Sequence, residues 1–186
     1  MTRLNPIETT AVTPEIRGIL DKLHVNPVET PNFLKVLARS LATMRGYAGA
    51  ENALANGQLT ESQREQIALT VAEINGCGYC LASHTQRAKD AGLDDEDIRL
   101  ARRATATDPR SSAMLGFAQT VVLQRGEIKD HDLRIARQAG FSESEIIEII
   151  GNIAISIFTN YLNLIARTEP DFPATRLTLE TEQIFR

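Results

Sequence analysis

Residues 75–84 read NGCGYCLASH, so Cys77 and Cys80 are followed by His84 at the spacing Cys-x-x-Cys-x-x-x-His. These are the chain's two cysteines and one of its three histidines. With so few cysteines, a close pair rarely arises by chance, so the pairing carries information. On a helix the two thiols lie about 60° apart in azimuth, with His84 between them. Leu81, Ala88 and Ala91 share that face, while Ser83, Gln86, Lys89 and Asp90 lie elsewhere. Two residues one turn apart have Cα atoms within the roughly 4.4–6.8 Å that a disulfide needs. A helix N-terminus favours thiolate over thiol. His84, one turn after Cys80, stands where it can exchange a proton with that thiol.

A carboxylate joins the group. Glu65 stands twelve residues before Cys77. On the helix that carries it, Ile67, Ala68, Leu69, Val71, Ala72 and Ile74 form an apolar arc, and Glu65 lies inside it. Glu73 is expected on a polar side with Gln66 and Thr70. Arg64 also falls in the arc, which predicts a less buried first turn. If the chain folds back at Asn75-Gly76, Glu65 is offset from His84 by about 3 Å along the axis, within direct or water-bridged contact.

Other readings of these residues stay open. The cysteines could be buried structural thiols. Cys77, Cys80 and His84 could hold a metal, but they supply only three ligands, and a fourth would have to come from Glu65, His24 or His131. His24 and His131 sit in loop-like contexts and read as solvated. The run Asp94-Asp95-Glu96-Asp97 reads as an acidic helix cap. A thioredoxin-like site needs a preceding strand, and none is apparent.

The elements that must position this group are helical. Thr13-Pro14 opens a helix to about Leu23. Pro27 and Pro31 bracket a loop, and Asn32 to Ala48 reads as one helix. Thr60 and Gln63 form a capping box for a helix to Ile74, which Asn75-Gly76 ends. A helix from about Cys77 to Ala91 is stopped by Gly92. AKDAGLDDEDI (88–98) recurs as ARQAGFSESEI (136–146), either an internal duplication or one turn chemistry used twice. Asp108-Pro109 opens a helix that Gly126 closes. Ser142 and Glu145 cap a long helix ending near Arg167. Only Thr175 to Thr181 alternates, weakly, in the manner of a strand. The expectation is an all-α single domain over 1–186, of about seven or eight helices, with a C-terminal extension from about residue 170.

Composition limits the partners. The chain has 186 residues, 42% hydrophobic and 24% charged, which suits one globular domain. A net charge of −4, no Trp and 5% aromatics disfavour nucleic acid. The start has no apolar signal-like segment. The apolar stretch Ile146 to Ala166 is interrupted by Glu148, Gly151, Asn152, Asn160 and Asn163, which disfavours a bilayer span. The expectation is a cytoplasmic protein without membrane partners, where paired thiols are more often catalytic or metal-binding than structural. The long helix is apolar nearly all round, with Ile146, Ile147, Ile149, Ile150, Ile153, Ile155, Ile157 and Phe158. Such a helix is buried on more than one side, and part of that surface is expected to meet another subunit.

The stretch LTESQREQIALTVAEINGCGYCLASH (59–84) resembles the core motif of AhpD-like alkylhydroperoxidases of the carboxymuconolactone decarboxylase family: a Glu ahead of Cys-x-x-Cys-x-x-x-His. Glu65, Cys77, Cys80 and His84 all match. FTNYLNLIARTEPDFP (158–173) is similar to peroxidase-related members too. The resemblance implies an all-helical fold and thiol peroxidase chemistry without cofactor or metal. It implies that Glu65 draws a proton from His84, which deprotonates Cys80. Cys80 then attacks a peroxide, and Cys77 resolves the sulfenic acid as a Cys77–Cys80 disulfide. It further implies a peroxide substrate, an external dithiol reductant (lipoyl- or thioredoxin-like) and a homo-oligomer, trimeric or hexameric. Helix-dipole reasoning alone favours Cys77 as nucleophile; the resemblance favours Cys80, and the His84 spacing supports it. One position departs: the best-known members carry a second His just before the second cysteine, and here that position is Tyr79. A phenol cannot shuttle protons near neutral pH as an imidazole does. The competing function is a cysteine-independent lyase like the lactone decarboxylases that share the fold, a reading that two retained thiols disfavour.

Overall fold

The computed structural model describes residues 2–8, 12–23, 30–173 and 175–177. Nine helices and no strand occur among the described residues: α1 (Pro14–Lys22), α2 (Asn32–Leu37), α3 (Leu41–Ala55), α4 (Glu61–Ile74), α5 (Gly78–Asp90), α6 (Asp95–Ala101), α7 (Pro109–Leu123), α8 (Asp130–Gln138) and α9 (Glu143–Ala166). The all-α expectation is met, with one more helix than the upper count. His24, Pro27 and the second half of the Thr175–Thr181 segment lie outside the described residues.

Local chemistry starts most of the helices. Thr13 caps α1 ahead of Pro14, and Asp108 caps α7 ahead of Pro109. Thr60 and Gln63 make a reciprocal capping box on α4, as do Asp94 and Asp97 on α6 and Ser142 and Glu145 on α9. The two similar phrases fold as the same joint: Gly92 and Gly140 take φ of 88° and 89°, a left-handed turn that glycine enters without a Cβ clash.

The single helix expected over Asn32 to Ala48 is two. The chain turns at Ala38-Arg39, and Ser40 adopts extended dihedrals (φ −125°, ψ 105°) and accepts the Thr43 N–H. Leu34, Leu37, Leu41 and Met44 keep a helical spacing across this break, so apolar periodicity conceals it.

α4 is the central element, packed against α5, α6, α7 and α9. Every residue from Glu65 to Ile74 is buried, whereas Glu61 is exposed and Arg64 half-buried, in keeping with the less buried first turn. The expected polar side of Gln66, Thr70 and Glu73 therefore does not face water. α6 covers it: the Thr70 hydroxyl donates to the Ala101 carbonyl at 2.6 Å, and Arg102 Nε donates to Glu73 Oε2 at 2.8 Å. A second, smaller apolar cluster joins α1, α2 and α3 through Ile16, Leu20, Leu34, Leu37, Met44 and Tyr47.

α9 is long and apolar enough to cross a membrane by length and composition alone, yet it packs on α2, α3, α4, α5 and α7. Its two sides are unusual. Ser156, Thr159, Asn160 and Asn163 are buried, while Ile147 is 67% and Ile165 60% exposed. The helix is therefore buried by this chain along one side, and its other side is an uncovered apolar stripe.

Candidate active site

The two cysteines sit at the joint between α4 and α5. Gly76, at φ 67°, turns the chain, and Cys77 N–H closes the turn on the Ala72 carbonyl at 2.9 Å. Cys77 then serves as the N-cap of α5: its Sγ accepts the Cys80 N–H at 3.3 Å. This places the thiols within one turn of each other, with a Cys77 Sγ–Cys80 Sγ distance of 2.7 Å. Both are reduced and buried.

Their surroundings drive the thiols apart in acidity. The Cys77 S–H donates to Cys80, which stabilises a Cys80 thiolate against the cost of burial. His84, then Asn163 and Asn160, add to the effect, and the Cys80 pKa falls from 9.0 to about 7. Cys77 moves the other way, because its proton is held by Cys80 and its charged form is desolvated. The second cysteine is thus the more acidic thiol, despite lying further from the helix end.

Glu65 and His84 meet across α4 and α5 as their offset predicts. His84 Nδ1 lies 2.7 Å from Glu65 Oε2, and Arg87 Nη2 lies 2.9 Å from Glu65 Oε1. Burial pushes the Glu65 pKa up, but His84, Arg87 and Arg64 together outweigh it and hold the carboxyl below its ordinary value. An ionised Glu65 fixes Nδ1 as the protonated nitrogen and leaves Nε2 to exchange a proton. No hydrogen bond joins His84 directly to Cys80 among the described residues, but both line one narrow cleft of about 40 Å³. Since a water needs about 10–15 Å³ of such space, the cleft has room for a few water-sized groups beside the thiol.

Tyr79, between the cysteines, is part of the cleft wall. Its hydroxyl donates to Asp171 Oδ2 at 2.5 Å and accepts the Phe33 N–H at 3.3 Å. Phe33 and Phe172 meet its ring edge-on. Burial and the Asp171 bond push its pKa well up, so the phenol stays protonated and structural.

Two residues of the site were not singled out from sequence. Asn163 Nδ2 donates to Cys80 Sγ at 3.3 Å, and Asn75 Nδ2 donates to Asn160 Oδ1 at 3.0 Å. Their signal was two asparagines three residues apart in an otherwise apolar helix, read only as interruptions of it. Of the other candidate ligands, His131 is exposed on α8, beside Arg134. Among the described residues, no three His, Cys, Asp or Glu side chains are placed to share a metal ion.

Residues 38–122, which contain all four motif positions, match the carboxymuconolactone decarboxylase family. Over 71 residues the chain is 37% identical to an alkyl hydroperoxide reductase AhpD of Bradyrhizobium sp. strain BTAi1, covering 36% of this chain and 39% of that relative. Residues 38–122 thus match the carboxymuconolactone decarboxylase family, and the sequence is similar to AhpD proteins over a stretch of 71 residues. The similarity spans well under half the length of the relative. In fold the likeness to solved structures extends further. The AhpD-core, peroxidase-related protein from Ralstonia eutropha JMP134 superposes with a TM-score of 0.79 at 24% identity, covering 91% of this chain and 92% of the other. The debrominase Bmp8, solved with 2,3,4-tribromopyrrole, superposes with a TM-score of 0.75 at 18% identity, over 92% of each chain. The AhpD-like fold thus hosts more than one chemistry, and the reaction must be argued from the site.

Proposed function

We propose that this protein is a thiol-dependent peroxidase that reduces hydroperoxides through Cys80 and Cys77. The observation that carries the reading is a buried carboxylate, Glu65, bonded to the half-buried imidazole of His84, beside two reduced thiols of opposite acidity, only one of which is a ready thiolate near neutral pH. In the proposed cycle the Cys80 thiolate attacks the terminal oxygen of the hydroperoxide. The S–O bond forms, the O–O bond breaks, and its electron pair leaves on the alkoxide, which takes a proton from His84. Cys77 then attacks the Cys80 sulfenic acid, giving a Cys77–Cys80 disulfide and water. An external dithiol exchanges with that disulfide and restores both thiols, itself becoming oxidised. Glu65 supports the imidazolium that forms during the cycle.

The cytoplasm is the compartment proposed for this cycle, because it keeps thiols reduced. Self-association through the exposed stripe of α9 is part of the same proposal.

The test is intact-mass spectrometry of the reduced, metal-free chain before and after one equivalent of hydrogen peroxide or cumene hydroperoxide. The expected result is a loss of about two mass units in the wild type and none in Cys80→Ser, with a trappable sulfenic acid on Cys80 in Cys77→Ser. No change on prompt mixing, or lactone turnover surviving Cys77→Ser/Cys80→Ser, would sink the reading in favour of a cysteine-independent lyase.

A further inference from the structure

Three buried side-chain polar atoms lack a hydrogen-bond partner among the described residues: Asn160 Nδ2, Asn163 Oδ1 and Thr168 Oγ1. Buried polar groups are normally satisfied, so an orphan calls for an explanation. Of the three residues, only Asn163 lines the cleft that holds Cys80 and His84. The residue is 4% exposed, and its amide is already committed at one end, where Nδ2 donates to Cys80 Sγ at 3.3 Å. A thiolate accepts but cannot donate, so the N–H end must face sulfur. The carbonyl end is then a buried acceptor beside the nucleophile, without a partner among the described residues.

A hydroperoxide supplies that donor. The oxygen that sulfur attacks is the terminal one, and it carries its own proton. We propose that Asn163 is a catalytic residue that accepts the terminal O–H of the hydroperoxide through Oδ1 while Nδ2 holds the Cys80 sulfur. One planar amide would then set sulfur and the attacked oxygen side by side, which is the positioning that converts an encounter into a near-attack arrangement. The proton on the transferred oxygen stays with it as the S–OH hydrogen, so Asn163 gains and loses none. The ligand class selected is ROOH, including hydrogen peroxide, over dialkyl peroxides, which have no O–H to offer. This assignment rests on the peroxidase reading.

The experiment separates thiolate formation from peroxide attack. For the reduced full-length chain, the rate of alkylation by iodoacetamide and the single-turnover rate with hydrogen peroxide are measured from pH 5 to 9.5. At the high-pH plateau the thiolate is fully formed, so a difference there is not a matter of acidity. Asn163→Ala is expected to reach its alkylation plateau at higher pH, at a rate no lower than wild type, but to react with peroxide about tenfold or more slowly. Asn163→Ser, which retains a small donor and acceptor, is expected to recover part of that loss. Thr168→Val removes another unpartnered buried atom outside the cleft and is expected to keep the wild-type peroxide plateau. Equal peroxide plateaus for wild type and Asn163→Ala would overturn the assignment, as would an equal loss in Thr168→Val, which would mark the effect as packing. If the wild type itself gave no two-unit mass loss, the peroxidase reading would fall and this assignment with it.

Discussion

Cys80 gains its acidity from neighbours on its own helix and on α9. Cys77 and His84 come from its own helix, at spacings visible in the sequence, and Glu65, which bonds His84 and not the thiol, comes from the preceding helix through one tight turn. These four were legible because short-range geometry fixes them: a turn of helix, a fold-back, a shared face. Asn160 and Asn163 arrive from α9, eighty or more residues away, and no local rule says which face of an apolar helix meets α5. The same limit explains Glu73, whose supposed polar side became an interior surface once α6 covered it. A prediction belongs at this scale. Alkylation of Cys80 should be slow at low pH, rise with a midpoint near pH 7 and level off above it, because the thiolate is the nucleophile. In Cys77→Ala the largest stabilising hydrogen bond is gone, so the midpoint should move to higher pH. A profile unchanged by Cys77→Ala, followed by iodoacetamide labelling and mass spectrometry, would show that the first cysteine does not tune the second.

Among the elements, α4 sets the geometry, since it carries Glu65 at one end and leads into the cysteine turn at the other. Its capping box and its stop at Asn75-Gly76 could be read from residue types alone, as could the starts of α1, α7 and α9. Its burial on all sides could not, because Gln66, Thr70 and Glu73 offer the pattern of an amphipathic helix. Their polar atoms are reconciled with the interior by α6 and Arg102. Arg102→Leu would take the guanidinium from a fully buried carboxylate, a change that typically costs about 3–5 kcal/mol. The expected outcome is a urea-unfolding midpoint well below that of wild type at an unchanged slope. A loss within about 0.5 kcal/mol, the usual range for surface changes, would mean that the pair contributes little. The division of α2 from α3 marks the opposite limit: Ser40 is a recognisable cap, but continuous apolar spacing concealed it.

At the scale of the whole molecule, α9 presents Ile147, Ile150, Tyr161, Leu164 and Ile165 to solvent along much of its length. Contiguous exposed apolar surface of this kind marks a site of association. Sedimentation is expected to give a mass above the 20.5 kDa of one chain, and Ile147→Glu/Ile165→Glu is expected to return it to that value. A wild-type chain already at 20.5 kDa would rule self-association out. A further long-distance tie joins α2 to the segment that follows α9. The N-cap of α2 is Pro31, which offers no side-chain acceptor, and the Asn32 N–H is met instead by Asp171 Oδ2 at 2.8 Å, from 139 residues further on. That carboxylate also receives the Tyr79 hydroxyl. During synthesis, therefore, the first turn of α2 and the wall beside the thiols stand without this acceptor until the last helix has left the ribosome. The cysteines are made well before the segment that completes their enclosure.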